Sequence, residues 1–275
     1  MSKITTPRRF APLREAAEQK SDLPKLQGII FDVDGTLCKP QNHMFREMRA
    51  VLSIPKSADI LEHVYALPTA SAREAAMESI RAIERRAMAE QVAQPGLSAL
   101  MTYLDARGVR KGICTRNFEQ PVAHLLAKFL AGSAFAPVVT REFRPPKPDP
   151  AGLLFIARSW GLVASGRRKR SDDGGGAAAN GHEESKKGPA VDGEGHDDDE
   201  QHAVVGDGSN LIMVGDSIDD MTAGRKAGAA TVLLVNDANR HLAEHDHTDL
   251  VIERLDELID VLDGGFVGRK TAAVE

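Results

Sequence analysis

The sequence predicts an α/β fold: a doubly wound, Rossmann-like parallel sheet core that carries a small all-helical cap domain. Short apolar runs, typical of buried strands, alternate with segments of helical periodicity over most of the 275 residues. One block without any strand signal, residues 38–94, interrupts this alternation directly after the first strand. We therefore interpret residues 27–37 and 95–264 as the core and residues 38–94 as the inserted cap.

The first strand follows a polar lead-in, residues 1–26. The lead-in contains basic residues but no apolar stretch of the kind found in secretory signals, so we expect it to be mostly disordered. The strand itself is the run Gly28–Phe31, which is short, apolar and rich in β-prone residues. Its continuous apolar character predicts a fully buried strand.

The helical block contains three predicted helices, over residues 44–52, 58–66 and 72–92. In the third, apolar side chains recur at helical spacing and charged side chains of both signs occupy the rest of the helix surface. The apolar positions are Ala76, Ile80, Ile83 and Ala87. This pattern is typical of a helix that packs along one side and is solvated on the other.

Strands and helices alternate again after Pro95-Gly96. The predicted strands are residues 109–114, 135–139, 211–214, 231–235 and 250–252. The predicted helices are residues 97–106, 121–130, 150–160, 221–227 and 254–262. The residues after the last helix, 265–275, are expected to form a loose tail.

A segment of different composition, residues 165–208, separates the third and fourth predicted strands. It is rich in Gly, Ala, Asp, Glu and Lys and contains almost no large apolar residue. Such a segment cannot bury enough apolar surface to offset its ordering entropy, so it is predicted to be a disordered loop. Its basic tetrad, Arg167–Arg170, fits either an anion or nuclear-import patch or a solvated charge cluster, and we favour the cluster.

Composition and charge argue against several function classes. A formal net charge of −5 gives no reason to expect a nucleic acid partner. No apolar run approaches the roughly 18 residues of a membrane span. Two cysteines in a chain of this length favour a reduced compartment. We expect a cytoplasmic protein, with a nuclear or mitochondrial location less favoured, that is a monomer or a weak dimer and does not bind membranes.

Two carboxylates, Asp32 and Asp34, directly follow the first predicted strand. Ligands bind at the carboxyl ends of strands in open α/β sheets, which makes this pair a metal or catalytic candidate. Two acids in such a place repel each other unless a cation or a shared proton is present. Taken alone, however, the two residues could equally end a strand and cap a turn.

Three further polar loops follow strands or lie in the connections between them: residues 115–117, 144–149 and 215–220. The carboxyl ends of parallel strands meet at one edge of a sheet, so these loops are expected to converge on Asp32. Carboxylates suit Mg²⁺, which is held by a few acids together with water and phosphate. Lys147 can neutralise both a phosphate group and the acids. These are the components that phosphoryl transfer requires.

The chain resembles the haloacid dehalogenase (HAD) superfamily, in its phosphatase branch with a helical cap inserted after the first motif. The resemblance spans about residues 27–262 without the loop, and all four family motifs are present in order. They are Asp32-Val33-Asp34-Gly35-Thr36, Thr115, Lys147 in Lys-Pro-Asp-Pro, and Gly215-Asp216-Ser217-Ile218-Asp219-Asp220.

The resemblance implies a role for each motif residue. Asp32 would be the nucleophile that forms an aspartyl-phosphate, and Asp34 would be the general acid and base. Mg²⁺ would lie between the Asp32 carboxylate, the Asp34 backbone carbonyl and Asp216, with Asp220 in the first coordination shell or just behind it. Phosphate would be bound by four residues: Gly35 in the turn, Thr115, Asn117 and Lys147. Lys147 would also orient the nucleophile. Arg116 would either contact the substrate or form a surface ion pair.

The second acid, Asp34, favours phosphate ester hydrolysis, because relatives that displace halide lack it. The expected function is Mg²⁺-dependent hydrolysis of a small phosphorylated metabolite, of the sugar phosphate or phosphoglycolate class. A phosphomutase of the same fold and a non-catalytic scaffold that binds a partner through the acidic loop are the alternatives. Asp219 is expected to be a helix N-cap. The cap residues His43, Arg46 and Lys56 are candidates to face the site.

Overall fold

The computed structural model of the protein describes residues 7–14, 21–164 and 205–269. Most of the predicted disordered loop, residues 165–204, lies outside the described residues. The end of that predicted loop is ordered, because the Ala164 amide donates to the Val205 carbonyl and the Asp207 amide donates to Leu162. Within the described part of the chain, no helix is long and apolar enough to cross a membrane.

The core is one sheet of six parallel strands in the order β3-β2-β1-β4-β5-β6. The strands are β1 (Gly28–Phe31), β2 (Lys111–Cys114), β3 (Val138–Val139), β4 (Leu211–Gly215), β5 (Ala230–Leu234) and β6 (Leu250–Ile252). The chain winds outward from β1 in one direction through β2 and β3, and in the other through β4, β5 and β6. This topology confirms the predicted doubly wound sheet and places its crevice at the carboxyl ends of β1 and β4.

Eight α-helices connect the described strands, and a short 3₁₀ segment, Arg240–Glu244, follows β5. The helices are α1 (Asn42–Val51), α2 (Ile60–Ala66), α3 (Ala70–Ala89), α4 (Leu97–Ala106), α5 (Glu119–Phe129), α6 (Ala151–Ser159), α7 (Ile218–Ala227) and α8 (Glu257–Gly264). Buried side chains of α4, α5 and α8 pack on one face of the sheet with Ile29 and Phe31. Those of α6 and α7 pack on the other face with Ile30. Successive side chains of β1 point to opposite faces of the sheet, and they therefore contribute to both cores.

The cap consists of α1, α2 and α3 and has a small core of its own, in which Met48 and Val64 contact the buried face of α3. All four apolar positions identified on α3, Ala76, Ile80, Ile83 and Ala87, are buried. The two chain segments that join cap and core pair with each other: Cys38 forms an antiparallel bridge with Ala93. A paired connection of this kind fixes where the cap enters and leaves the core.

Both ends of the described chain pack against the core, so the expectation of a loose lead-in and tail is wrong for residues 7–14 and 265–269. Phe10 is 2% exposed, its amide donates to the Phe266 carbonyl, and the two rings lie 5.6 Å apart. Arg9 also forms an antiparallel bridge with Val267. Two aromatic residues bury enough apolar surface to order segments that are otherwise polar.

Candidate active site

Asp32 is the residue that directly follows β1, and it lies at the crevice of the sheet. Its amide donates to the Val214 carbonyl of β4 at 3.0 Å, which continues the sheet by one residue and fixes the base of the side chain. The chain then turns sharply: the Leu37 amide donates to Val33, and Gly35 has φ +86°. Only glycine adopts this conformation without strain, which is the physical reason for the glycine in the motif.

Lys147 is buried and lies between two carboxylates. Its Nζ donates to Asp32 Oδ1 at 2.7 Å and to Asp220 Oδ1 at 2.5 Å. Burial acts to lower the pKa of Lys147, but the charges of Asp220 and Asp32 outweigh burial and raise that pKa. Lys147 is therefore a permanent cation that fixes one oxygen of the nucleophile candidate and leaves the other available.

Asp220 is held by Ser217 as well as by Lys147. Its Oδ2 accepts from the Ser217 amide at 3.0 Å and from Ser217 Oγ at 2.7 Å, while Ser217 Oγ accepts from the Asp220 amide. This reciprocal capping box starts α7 at Ile218. The expectation that Asp219 caps the helix is wrong, because the Ser217 side chain reaches the free amide; Asp219 forms an ion pair with Arg116 at 2.6 Å.

Three acids form a cluster that suits a metal ion. Asp32, Asp216 and Asp220 each have a carboxylate oxygen within 4.8 Å of the others. Burial and the charges of Asp220 and Asp32 raise the pKa of Asp216 to about 8. Burial also raises the pKa of Asp32, against the opposing effect of Lys147. Lys147 pairs with Asp32 and Asp220 but, among the described residues, no cation pairs with Asp216, so a divalent cation would supply the positive charge that Asp216 lacks.

The donor set fits Mg²⁺, and the hydrogen bonds separate the roles of the acids. Both oxygens of Asp220 are already bonded, one to Lys147 and one to Ser217. The free oxygens of the cluster therefore belong to Asp32 and Asp216, and Asp220 is placed to orient Lys147. The backbone of Asp216 is held by Asn239, whose buried side chain donates to the Asp216 backbone carbonyl at 2.7 Å.

Asp34 lies beside this cluster but does not share it. Its Oδ1 accepts from the amide of Gln41, the residue that precedes α1 of the cap, at 3.0 Å. Burial raises the pKa of Asp34 to about 6, and the Gln41 hydrogen bond opposes that rise. A carboxyl group with such a pKa can hold or release a proton near neutral pH, as a general acid and base must.

Four of the five residues predicted to bind phosphate line the same cleft, namely Thr115, Arg116, Asn117 and Lys147, and Gly35 does not. Thr115 follows β2, is 4% exposed and accepts at Oγ1 from the Asn117 amide at 3.2 Å. Arg116 is exposed and borders the cleft, and its guanidinium forms the surface ion pair with Asp219; its contact with substrate stays a prediction. Gly35 lies under the Asp216 carboxylate, so close that a Cβ at this position would overlap it.

A cleft of about 550 Å³ between core and cap brings all these side chains to one wall. The cap supplies the facing wall, largely from apolar residues: Pro40, Met44, Phe45 and Met88, with Gln41 and Glu84 as the polar members. His43, Arg46 and Lys56, which the sequence offered as candidates to face the site, do not line this cleft among the described residues. His43 nevertheless lies close enough to Asp34 for its charge to oppose the rise in the pKa of that carboxyl.

Several site residues were not found from the sequence. Gln94 Nε2 donates to the Gly35 carbonyl at 2.7 Å and so links the returning cap connection to the motif turn. Asn239 follows β5, and Arg141 and Arg144 follow β3. Their position after strands was a usable signal, because each stands at the same sheet edge as the motif loops. No comparable signal marked Gln41 or the apolar residues of α1.

Comparison with known proteins agrees with this geometry. The family model for haloacid dehalogenase-like hydrolases matches residues 26–168, and a related HAD-hydrolase-like model matches residues 196–258. An uncharacterized hydrolase of Saccharomyces cerevisiae is 36% identical over 245 residues, which are 87% of this chain and 92% of that protein. A phosphoglycolate phosphatase of Pseudomonas syringae is 32% identical over 168 residues, covering 52% of this chain and 60% of that protein.

Solved structures of similar fold include a predicted phosphoglycolate phosphatase from Haemophilus somnus. It has a TM-score of 0.58 at 15% identity, with 86% of this chain and 97% of that chain covered. CbbY from Rhodobacter sphaeroides, solved in complex with phosphate, has a TM-score of 0.54 at 17% identity, with 85% and 96% covered. At these identities the structures support the fold alone. The family models and the yeast relative show that this chain belongs to the haloacid dehalogenase-like hydrolase family.

Proposed function

We propose that the protein is a Mg²⁺-dependent phosphatase that hydrolyses a small phosphomonoester through an aspartyl-phosphate on Asp32. The observation that carries this proposal is the pair of acids at the end of β1, with Asp32 fixed by Lys147 at 2.7 Å and Asp34 fixed by Gln41 at 3.0 Å. One acid is paired with a permanent cation and the other has a pKa of about 6. Nucleophilic attack and proton transfer require this division of properties.

Asp32 attacks the phosphorus, and the ester oxygen departs as the bond to phosphorus breaks. The Lys147 cation keeps the attacking carboxylate ionised and oriented and also neutralises charge that develops on the phosphoryl oxygens. The Thr115 hydroxyl, at the end of the neighbouring strand, would donate to those oxygens, while the Asn117 amide donates to Thr115 Oγ1 at 3.2 Å and so positions that hydroxyl. Positioning and neutralisation of this kind dominate the catalysis of phosphoryl transfer.

Asp34 transfers the proton in both halves of the reaction. In its neutral form it protonates the departing alkoxide, and in its ionised form it accepts a proton from the water that attacks the phosphoenzyme. The buried position that raises its pKa makes both forms accessible near neutral pH. The cap wall opposite the acids excludes bulk water from the cleft.

The free oxygens of Asp32 and Asp216, together with the Asp34 backbone carbonyl, would hold the metal. A Mg²⁺ ion held there would neutralise negative charge during phosphoryl transfer. Asp220 and Asn239 hold the surrounding groups in place without binding the ion themselves. Loss of Mg²⁺ should therefore leave the fold intact and remove activity.

A small metabolite is the proposed substrate, because a cleft of about 550 Å³ is of the size that holds a ligand of that class. The sugar phosphate and phosphoglycolate classes remain the leading candidates, and one relative is named a phosphoglycolate phosphatase.

The test is phosphate release by the purified full chain from p-nitrophenyl phosphate and a panel of metabolite phosphates, with Mg²⁺ and with EDTA. We expect release that requires Mg²⁺ and that is lost in Asp32→Asn. Turnover in EDTA, or full activity of Asp32→Asn, would refute the proposal. Release of an isomerised phosphate ester in place of inorganic phosphate would establish the phosphomutase alternative instead.

A further inference from the structure

The cleft is lined by arginines as well as by acids. Asp32 and its acidic neighbours follow β1 and β4, and Arg141 and Arg144 stand in the connection that follows β3. The same connection carries Lys147, which bonds Asp32 at 2.7 Å. The mechanism proposed above uses neither arginine.

Arg141 is held in a fixed position, as expected of a side chain that binds a ligand. Its amide donates to the Asn117 carbonyl at 2.9 Å, which ties its backbone to the phosphate-binding loop. Its guanidinium lies over the Phe118 ring, with Cζ 4.9 Å from the ring centroid. Stacking on an aromatic ring orients a guanidinium while leaving its N–H groups free to bind an anion at its edge.

The guanidinium of Arg141 has no carboxylate within ion-pair distance among the described residues, and the same is true of Arg144. The acid that influences Arg141 is Glu84, which reaches into the cleft from α3 of the cap. Glu84 is half-buried, and burial raises its pKa while the charge of Arg141 opposes the rise. A substrate anion that enters between them would replace Glu84 as the counter-charge of Arg141.

We propose that Arg141, assisted by Arg144, forms a second anion subsite that selects phosphomonoesters bearing another anionic group, a carboxylate or a second phosphate. This proposal rests on the proposed function, since it assigns the substrate's reacting phosphate to the part of the cleft that holds Asp32. Glu84 sets the strength of the selection by competing with the substrate anion. The apolar cap residues Met44 and Phe45 line the facing wall of the same cleft and hold no charge that would attract it.

The experiment compares matched substrates that differ in the distal group alone. Glycerol 3-phosphate against 3-phosphoglycerate tests a carboxylate, and fructose 1-phosphate against fructose 1,6-bisphosphate tests a phosphate. The measured quantity is the ratio of kcat/KM between the members of each pair. We expect at least one ratio to favour the doubly anionic substrate about tenfold or more, as charge-assisted hydrogen bonds of an arginine do.

Three variants decide the assignment. Arg141→Gln should lower the favoured ratio about tenfold, whereas Glu84→Gln should raise it, because the internal competitor loses its charge. Arg240→Gln is the matched control: its side chain is 65% exposed in the 3₁₀ segment after β5, outside the cleft, and the ratio should not change. Equal ratios in wild type and Arg141→Gln, or no preference in either pair, would overturn the subsite.

A binding measurement separates this proposal from the proposed function. In Asp32→Asn, calorimetric affinity for the same substrate pairs needs no turnover. A preference for the doubly anionic member that is lost when Arg141→Gln is added would support the subsite, even if the wild type releases no phosphate. Turnover by the wild type together with equal affinities would keep the phosphatase and overturn the subsite.

Discussion

Replacing Lys147 with methionine should destabilise the protein far more than removing a surface cation whose ion pair has a similar N···O distance. Lys147 pairs with Asp32 at 2.7 Å and with Asp220 at 2.5 Å, and the three side chains are 3%, 11% and 1% exposed. Lys147→Met leaves two buried carboxylates without their cation. Breaking a buried pair in this way costs about 3–5 kcal/mol of unfolding free energy.

The matched control is Arg85→Met on the cap. Arg85 pairs with Glu78 at 2.6 Å, but these side chains are 54% and 56% exposed. An exposed pair contributes at most about 1 kcal/mol, because water and salt screen it. The two substitutions therefore separate the effect of burial from the effect of distance.

Urea unfolding followed by circular dichroism, in EDTA so that no metal compensates the acids, gives both values. Adding Asp32→Asn to Lys147→Met should recover part of the loss, with a coupling of about 0.5–3 kcal/mol, because one of the unpaired acids is then neutral. A loss in Lys147→Met no larger than that in Arg85→Met would refute the claim that Lys147 holds the acid cluster together.

Two further substitutions test how Asp216 is positioned. Gly35→Ala introduces a Cβ that overlaps the Asp216 carboxylate, at a residue with φ +86°. The substitution should therefore weaken Mg²⁺ binding and phosphatase activity together. Calorimetry of Mg²⁺ binding alongside kcat checks this, and an unchanged Mg²⁺ affinity would contradict it. Asn239 is 7% exposed, and Asn239→Ala removes the side chain that donates to the Asp216 and Leu234 carbonyls. This should lower the free energy of unfolding by about 1–3 kcal/mol. A urea midpoint equal to that of the wild type would argue against this role.

The fold was predictable because each segment of the core carries a local signal that agrees with the global arrangement. The apolar run Gly28–Phe31 is a fully buried strand, and the predicted bounds of α4 and β6 match the structure. Boundaries moved where a single residue changed the backbone hydrogen bonding. β3 covers only Val138–Val139, because Pro137 before it has no amide to donate to the ladder. The capping box of Ser217 starts α7 three residues earlier than predicted.

The candidate site was predictable to the extent that its residues lie in motifs at strand ends. Asp32, Thr115, Lys147 and Asp216 all line one cleft, as the parallel topology requires. Their chemical roles stay predictions. What the sequence did not indicate depends on contacts that no residue pattern encodes, such as the hydrogen bond to Asp34 from the backbone amide of Gln41, seven residues later. A hydrogen bond from a backbone amide does not depend on the type of residue that donates it, so the sequence does not reveal it.

The measurement that tests the central claim most directly is a rapid-quench search for phosphorylated Asp32 during turnover of p-nitrophenyl phosphate with Mg²⁺. Borohydride reduction of an aspartyl-phosphate marks the residue that carried it, and peptide mass spectrometry identifies the position. Asp34→Asn should accumulate the mark at residue 32, because p-nitrophenolate leaves without a proton while the attacking water loses its base. Phosphate release with no mark at residue 32, or with a mark on another residue, would contradict the account.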